Sequence, residues 1–278
     1  MKVAIVILNY NSFADCRKCI GFLKRQQEIE QEIIVVDNCS KEEDCNAVGL
    51  LCKQQRCTFI ANHENRGYSA GNNIGLRYAA SKGYEYVLIA NPDMEFPQKD
   101  YIGKMIRKMK EDESIAICGS DIVTPSGTHQ NPMREASYSE ELLWPITVLK
   151  NRKNSYWFLG DYKKTGYCMK VSGCCFLIRI SFLKKIGFLD ESTFLYSEEP
   201  ILAKQVEHAG MHIYYMSEAQ AVHHHIKSEK GNSKNRMRLL YRSRSYYLSH
   251  YSGYSPFKLL LLSFSRRVQY ILGQLIIK

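Results

Sequence analysis

An acidic residue at the end of an apolar run is the first candidate for chemistry in this sequence. The run YVLIA, residues 86–90, is followed by Asn91-Pro92-Asp93. A carboxylate just beyond a strand faces the crevice in which open α/β sheets bind their ligands. Magnesium and manganese are often held by one or two carboxylates together with substrate phosphates and water. Asp93 is therefore a candidate metal ligand, while a simple Asn-Pro-Asp turn also fits these residues.

Two adjacent carboxylates, Glu198 and Glu199, stand before Pro200 at the start of a helical pattern. One interpretation is purely electrostatic, because acids are favourable at the positive end of a helix. The other is that one of them acts as a general base, which requires a carboxylate within hydrogen-bonding reach of an attacking hydroxyl.

Three consecutive histidines, His223, His224 and His225, follow a short strand pattern. Successive side chains of an extended chain face opposite sides, so at most two of the three could bind one metal ion. Beside an aspartate they could complete a divalent-metal site, whereas a surface or packing role is the alternative.

The segment NRGYSAGNNIG, residues 65–75, places three glycines at a spacing of four among several asparagines. Glycines let the backbone approach a ligand closely, and exposed amides can hydrogen-bond diphosphate or ribose oxygens. The segment is neither the dinucleotide fingerprint GxGxxG nor a P-loop. A plain turn followed by a glycine-containing helix is an equally good interpretation.

The elements that must position these residues alternate along the chain. Apolar runs at 3–8, 32–37, 57–61 and 86–90 alternate with helical patterns at 13–25, 41–54 and 69–82. Such alternation predicts an α/β fold with a mixed, mostly parallel sheet flanked by helices. The polar residues that follow the runs are Asn9, Asp37, Asn62 to Asn65, and Asn91 to Asp93. We expect the site at this edge of the sheet.

The second half of the chain is less regular. A helix is expected at 98–110 and a strand at 115–119, and residues 124–165 then lose periodicity, which predicts a long functional loop. Two short strands are expected at 212–216 and 220–225, and helices at 232–251 and 256–277.

Charge is distributed unevenly over the 278 residues, whose hydrophobic fraction of 45% indicates a globular protein with a real core. Residues 227–278 contain 11 Lys and Arg and a single acid, Glu229, whereas residues 1–226 are neutral with 27 of each sign. This asymmetry predicts a basic tail that binds an anionic surface.

The last predicted helix is apolar but is interrupted by Ser263, Ser265 and Arg266-Arg267. It fits a helix lying in the membrane interface, or one packed on the domain or on a second subunit.

Targeting and cysteine patterns point to a reducing compartment. The N-terminus MKVAIVILNYN lacks the small residues of a signal-peptide cleavage site, so no export is expected. The ten cysteines include one CxxC, at Cys16 and Cys19, without the second pair that a zinc site requires.

In their order, these motifs resemble those of a family 2 glycosyltransferase of the GT-A fold, most closely the rhamnosyltransferase-like branch of bacterial surface polysaccharide synthesis. The resemblance covers about residues 1–228 and rests on ILNYN (7–11), VVDN (35–38), NRGYSAGNNIG (65–75), NPD (91–93), SGCCFLIR (172–179), FLYSEEPILAK (194–204) and AVHHHIKS (221–228).

The resemblance implies roles for individual residues. Nucleotide-sugar binding falls to Asn9, Asp37, Asn65, Arg66, Gly67, Asn73, Asn91 and Asp93. The family's acidic metal motif is NPD here, so Asp93 is expected to bind Mg²⁺ or Mn²⁺ and Asn91 to assist. The metal-associated histidine, followed five residues later by serine, fits His223 and Ser228 best, with His224 and His225 as alternatives. Glu199 matches the catalytic base and Glu198 its partner.

The expected function is inverting transfer of a sugar from a UDP- or dTDP-linked donor, with dTDP-rhamnose one candidate, to a hydroxyl of a lipid-linked or growing cell-surface glycan. We expect a catalytic domain at 1–228 and a basic helical extension at 229–278 that contacts an anionic membrane surface from the cytoplasmic side, without binding nucleic acid. The alternatives are a sugar-nucleotide nucleotidyltransferase, for which no Gly-rich basic loop is found, and a nucleic-acid-binding protein using the Arg- and Tyr-rich segment 241–247.

Overall fold

The structure is a computed structural model that describes residues 2–154, 156–224 and 232–276. Its strands are β1 (Lys2–Asn9), β2 (Glu30–Asn38), β3 (Thr58–Asn62), β4 (Tyr86–Ala90), β5 (Met94–Glu95), β6 (Ile115–Val123), β7 (Gly166–Cys168), β8 (Cys175–Arg179) and β9 (His212–His223). Its helices are α1 (Phe13–Leu23), α2 (Glu42–Gln55), α3 (Tyr68–Ser81), α4 (Tyr101–Glu111), α5 (Tyr138–Leu142), α6 (Trp144–Asn151), α7 (Ile180–Ile186), α8 (Glu198–His208), α9 (Ser233–His250) and α10 (Pro256–Ile276).

The strands form one mixed sheet in the order β3-β2-β1-β4-β8-β6-β9-β5, with β7 paired to β9. Strands β1 to β4 run parallel, as do β6 and β9, while β8 runs antiparallel to both of its neighbours, β4 and β6. The expected α/β class with a mostly parallel sheet is confirmed. The parallel half sends the ends of β1, β2, β3 and β4 to one edge, where the polar residues lie.

Helices cover both faces of this sheet because its central strands are apolar on both sides. One face is covered by α1, α2 and α4, and the other by α3, α7 and α8. Helix α3 lies especially close to the sheet. A Cβ at Gly71 would meet the side chain of Leu8, and one at Gly75 would meet that of Val6. These two glycines therefore serve helix-to-sheet packing.

The sequence-based strands at 212–216 and 220–225 are one continuous strand, β9, which ends at His223. Its pairing with β6 shifts register between Ser120 and Asp121, where Met216 and Gln220 are the successive partners. The polar residues between them form a bulge in the strand, although in the sequence they look like a turn. The two separate strands were a wrong prediction for this reason.

The aperiodic region 124–165 contains two short helices, α5 and α6, that were not predicted. Helix α5 begins with a capping box, in which Ser137 accepts from the backbone of Glu140 and the Glu140 side chain accepts from the backbone of Ser137. The Ser-x-x-Glu spacing is visible in the sequence and was the available signal.

Helices α9 and α10 pack against the α/β body. Ile201 of α8, Tyr247 and Leu248 of α9, and Leu262 of α10 share one buried cluster. Within residues 2–154, 156–224 and 232–276, no helix has both the length and the apolar character needed to cross a membrane.

Candidate active site

The ends of β1 and β2 hold the first predicted pair of site residues side by side. Asn9 and Asp37 are register partners, and Asn9 Nδ2 donates to Asp37 Oδ1 at 2.8 Å and to Asp44 Oδ1 at 2.7 Å. The Ser40 backbone N–H donates to Asp37 Oδ2 at 3.0 Å. Asn9 is completely buried and holds the Asp37 carboxylate in place, and its expected contact with a nucleotide stays a prediction. Asp44, which shares its amide, was not predicted.

The turn before α3 is closed by Asn65, whose Oδ1 accepts from the Gly67 backbone at 3.0 Å and from Asn38 Nδ2 at 3.1 Å. Gly67 has φ of +100°, and any Cβ there would collide with the backbone of Phe194. Glycine at this position thus lets the segment ahead of α8 lie against the turn. Arg66 is exposed, and its Nη2 lies 3.6 Å from Glu191 Oε2.

Asn73 does not face the expected ligand crevice. Its Nδ2 donates to Leu189 O at 2.9 Å and to Glu191 Oε1 at 2.8 Å, and its Oδ1 accepts from the Leu189 backbone at 3.0 Å. The side chain is buried, and these contacts hold the segment that follows α7. The expected role of Asn73 in nucleotide-sugar binding stays a prediction.

Asp93 and His223 meet because of a strand of only two residues. Met94 of β5 pairs antiparallel with His223 of β9, which brings Asp93 Oδ2 within 3.3 Å of His223 Nε2. The other ring nitrogen, Nδ1, lies 2.8 Å from Gln130 Oε1, which orients the ring. Asp93 Oδ1 is buried without a hydrogen-bond partner. Gln130 was not identified from the sequence.

This pair fits a divalent cation. Asp93 Oδ1, which lacks a hydrogen-bond partner, and the imidazole of His223 are suitable metal ligands. The His223 ring is oriented through its second nitrogen, as in metal-binding histidines. Burial alone would lower the pKa of His223, but hydrogen bonds to Asp93 and Cys174 outweigh it and raise the pKa to about 10. Without a metal the ring is therefore an imidazolium paired with Asp93, and a bound cation would have to displace the proton on Nε2. No group of three or more His, Cys, Asp or Glu suited to a metal occurs in the part of the chain that the structure describes. Phosphate and water oxygens would complete the coordination.

The neighbouring histidines are placed differently. His224 Nε2 lies 3.1 Å from Glu95 Oε1, and nearly half of its side chain is exposed. His225 and Ser228 lie outside the described residues. The His224 backbone N–H donates to Asp93 O at 2.9 Å, but of the two described histidines it is the ring of His223 that lies beside the Asp93 carboxylate.

A cavity of about 500 Å³ adjoins Asp93 and His223. Asp15 and Lys18 of α1 line it together with Glu95, and none of these was predicted from the sequence. Burial, opposed by Lys18 and reinforced by Asp93, raises the pKa of Asp15. The volume lies in the range of small-molecule sites.

One short loop, residues 172–175, connects the NPD motif to the carboxylate pair. Cys174 O accepts from the Asn91 backbone at 2.7 Å, and the Gly173 backbone N–H donates to Glu199 Oε1 at 3.2 Å. The Tyr68 hydroxyl donates to Gly173 O. Gly173 and Tyr68 therefore position Glu199, a role that the SGCC motif did not reveal by itself.

Glu198 and Glu199 open α8 in unlike surroundings. Glu198 Oε1 is buried without a hydrogen-bond partner. Burial, and then the negative charge of Glu199, raise the pKa of Glu198 to about 8, so Glu198 holds a proton at neutral pH. The backbone ahead of the pair is strained, because Tyr196 and Ser197 have φ of +74° and +66°. Such strain is concentrated at functional sites.

The sequence profile described as glycosyl transferase family 2 matches residues 4–187, which is about two thirds of the chain. The chain belongs to glycosyltransferase family 2. Two curated proteins resemble this chain over most of its length. The low-salt glycan biosynthesis hexosyltransferase Agl10 of Haloferax volcanii is 25% identical over 248 residues, 87% of this chain and 74% of that protein. The O-antigen chain rhamnosyltransferase RfbN of Salmonella typhimurium is 21% identical over 230 residues, 81% and 67% of the two chains.

Solved structures place this family 2 glycosyltransferase in the GT-A fold. The mannosyltransferase PcManGT of Pyrobaculum calidifontis, in complex with GDP-Man and Mn²⁺, superposes with a TM-score of 0.63 at 14% identity, over 98% of this chain and 73% of that one. TarS 1-349 of S. aureus, in complex with UDP-GlcNAc, gives a TM-score of 0.60 at 15% identity, over 97% and 73%. At such identities the likeness establishes the shared fold.

Proposed function

We propose that this family 2 glycosyltransferase inverts the anomeric centre as it moves a sugar from a UDP- or dTDP-linked donor to a hydroxyl of a lipid-linked or growing cell-surface glycan. The observation that carries the proposal is the loop 172–175, which holds the Asn91–Asp93 motif through Cys174 and Glu199 through Gly173. The motif proposed to stabilise the leaving group and the residue proposed to remove the proton are thus connected through one short loop. The relatives that act in glycan and O-antigen synthesis support the acceptor class.

Within this proposal, Asp93 and His223 would hold Mg²⁺ or Mn²⁺. A bound divalent cation supplies positive charge to the diphosphate as it departs. The Mn²⁺ in the PcManGT complex supports a metal of this kind. Asp37, fixed by Asn9 and the Ser40 backbone, retains acceptor capacity on its carboxylate for the nucleoside.

Glu199 acts on the acceptor. Its carboxylate takes the hydroxyl proton as the acceptor oxygen forms a bond to the anomeric carbon. The bond from that carbon to the phosphate oxygen breaks, and its electron pair leaves with the nucleoside diphosphate. Attack opposite the leaving group inverts the configuration, as it does in inverting glycoside hydrolysis. Glu198 keeps its proton at neutral pH and is therefore not the proposed base.

The proposed location is the cytoplasmic face of the cell membrane, with α10 lying in the interface. The outward side of α10 is lined by exposed apolar residues, and exposed Lys258 and Arg267 lie on the same helix. Apolar side chains that enter the headgroup region beside cations are typical of interfacial helices.

The test uses purified protein with a panel of UDP-, dTDP- and GDP-sugars and measures release of the nucleoside diphosphate with Mn²⁺, with Mg²⁺ and with EDTA. We expect activity with one donor class and loss of at least about 100-fold in Asp93→Ala and Glu199→Gln, since general bases contribute about 10²–10⁴-fold. Glu207→Gln, an exposed carboxylate further along α8, is the matched control and should retain activity. Full activity in both site variants would refute the assignment.

A further inference from the structure

The C-terminal groove is a second cavity, of about 530 Å³, between residues 134–144 and 157–158 on one side and helices α9 and α10 on the other. Its walls are mostly aromatic and aliphatic. Tyr241 and Tyr270 stack with ring centroids 4.8 Å apart, and Phe158, Leu240 and Leu272 each expose two fifths or more of their surface. A groove of this size and character accepts an apolar chain.

The floor of the groove carries more positive than negative charge. Arg244 contacts both Glu135 and Glu141, and Lys170 contacts Glu135. Arg266 has only Glu141, 3.6 Å away and already engaged by Arg244, as its ion-pair partner among the described residues. Three cations thus share two acids.

Arg266 is the under-compensated member of this group. Its side chain is only 12% exposed, and its Nε is buried without a hydrogen-bond partner. Burial, with Arg244 adding to it and Glu141 opposing it, lowers the pKa of Arg266 to about 10. A desolvated cation without full pairing is costly, and an anionic ligand would offset that cost.

Resting on the proposed function, we infer that the C-terminal groove binds the lipid end of the acceptor, a phosphate or diphosphate ester of a long apolar chain. The cationic floor takes the phosphate and the aromatic walls take the first part of the chain. The remainder of the chain can continue along the exposed apolar side of α10 toward a bilayer.

The groove is close enough to the reaction centre for this role. Lys170 lines the groove, and Gly173, three residues further, donates to Glu199. Three residues span at most about 11 Å of chain. A phosphate in the groove would therefore leave the first sugar units of the acceptor near the proposed base.

The chain contains two tryptophans, Trp144 and Trp157, and both line the groove. Intrinsic fluorescence thus reports on this cavity directly. The purified full-length protein is titrated in EDTA, without donor, with farnesyl diphosphate, with farnesol or with inorganic diphosphate. We expect saturable binding of farnesyl diphosphate and at least tenfold weaker binding of the other two. Equal affinity for farnesol, or no saturable change with farnesyl diphosphate, would overturn the inference.

Arg266→Met tests the cationic floor, and Arg267→Met, which alters an exposed neighbour, is the matched control. Relative to wild type, Arg266→Met should bind farnesyl diphosphate at least tenfold more weakly. The affinity of Arg267→Met should change less than twofold. Arg266→Met should keep its melting temperature, because replacement of a poorly paired buried charge by an apolar side chain is often neutral or stabilising. Unchanged affinity in Arg266→Met would overturn the assignment.

Phosphatidylglycerol vesicles distinguish a membrane lipid from an acceptor lipid. If the groove is an acceptor site, the vesicles should not displace farnesyl diphosphate, and Arg266→Met should still bind vesicles. Displacement at equal lipid concentration would show instead a phospholipid site. Since no donor is present, these results are independent of the transfer assay, and failure here leaves the proposed reaction standing.

Discussion

At the scale of single residues, two adjacent glutamates at the start of α8 have unlike surroundings. Glu198 is buried without a partner for Oε1, whereas Glu199 accepts a hydrogen bond from the Gly173 backbone. The raised pKa of Glu198 and the backbone contact of Glu199 give the two neighbours different surroundings within one dipeptide. The sequence showed two equivalent acids, because it carries no information on which of them the fold would desolvate.

Glu198→Gln should alter the pH dependence of stability. The folded-state pKa of Glu198 is raised from 4.5 to about 8, so between these values the folded protein keeps a proton that the unfolded chain has lost. The free energy of unfolding of the wild type therefore falls as the pH rises through this window. The melting temperature of the variant minus that of wild type should therefore increase by roughly 3 °C or more from pH 5 to pH 8. A change of about 1 kcal/mol in the free energy of unfolding corresponds to about 2–4 °C in chains of this size.

Comparison with the variant cancels the contributions of other titrating groups. Glu207→Gln on the same helix is the control, and its melting temperature should run parallel to that of wild type over this range. Parallel curves for Glu198→Gln and wild type would contradict the assignment of the proton to Glu198.

Gly173→Ala should impair catalysis without weakening donor binding. A Cβ at Gly173 would lie 3.3 Å from Glu199 Oε1, which is tight enough to displace the carboxylate. We expect kcat to fall roughly tenfold or more, because misplacement by about 1 Å can cost 10²-fold. The KM for the donor should change little. Gly21→Ala, where a Cβ meets nothing within 4 Å, is the control, and an equal loss of kcat there would point to a general effect.

At the scale of elements, the segment between α7 and α8 is held from two sides. Asn73 of α3 binds Leu189 and Glu191, while the Tyr246 and Tyr251 hydroxyls donate to Asp190 Oδ2 at 2.9 and 2.6 Å. The Ser243 hydroxyl donates to Leu195 O at 2.7 Å. Helix α9 thus supports the approach to the carboxylate pair, although the sequence placed it in a separate extension.

Removal of both hydroxyls in Tyr246→Phe/Tyr251→Phe should lower activity severalfold and the melting temperature by a few degrees, since each hydrogen bond to a charged group contributes about 1.5–3 kcal/mol. Steady-state kinetics and thermal unfolding measure the two effects. Tyr167→Phe is a matched control, because it removes a Tyr–Asp hydrogen bond to Asp112 far from this segment. Normal kcat in the double variant would show that α9 has no part in catalysis.

The parallel half of the sheet could be predicted because its strands are continuous apolar runs separated by helical patterns. The elements that complete the site could not. Strand β5 has two residues and no periodicity, yet its pairing with His223 brings Asp93 and His223 together. The bulge in β9 depends on its register with β6, which is a tertiary property. Only the capping box of α5 offered a local signal that went unused.

At the scale of the whole molecule, one surface differs from the rest. Phe257, Leu260, Phe264 and Leu275 project from the outward side of α10, and about three quarters of Leu275 is exposed. Ile146 and Leu149 of α6 are also exposed. Exposed apolar surface of this extent, accompanied by basic residues, is typical of an interaction face.

Leu260→Glu/Phe264→Glu should abolish flotation of the protein with phosphatidylglycerol vesicles at physiological salt. Each apolar side chain that enters the interface contributes about 1.5–3 kcal/mol when fully buried, so loss of two should reduce binding more than 100-fold. Leu50→Glu replaces an exposed leucine of α2 and is the control. Undiminished flotation of the double variant, or of a chain lacking residues 256–278, would exclude α10 as the membrane contact.

The pairing of β5 with the end of β9 also determines when the site can exist during synthesis. Asp93 emerges from the ribosome long before His223. Ser243 and Tyr251, whose hydroxyls hold the segment ahead of Glu198, emerge later still. The nascent chain can build the crevice of β1, β2 and β3 early, because those contacts are nearer in sequence. A chain released prematurely would therefore carry the crevice of β1, β2 and β3 without the pair of Asp93 and His223, and activity would report on completed molecules.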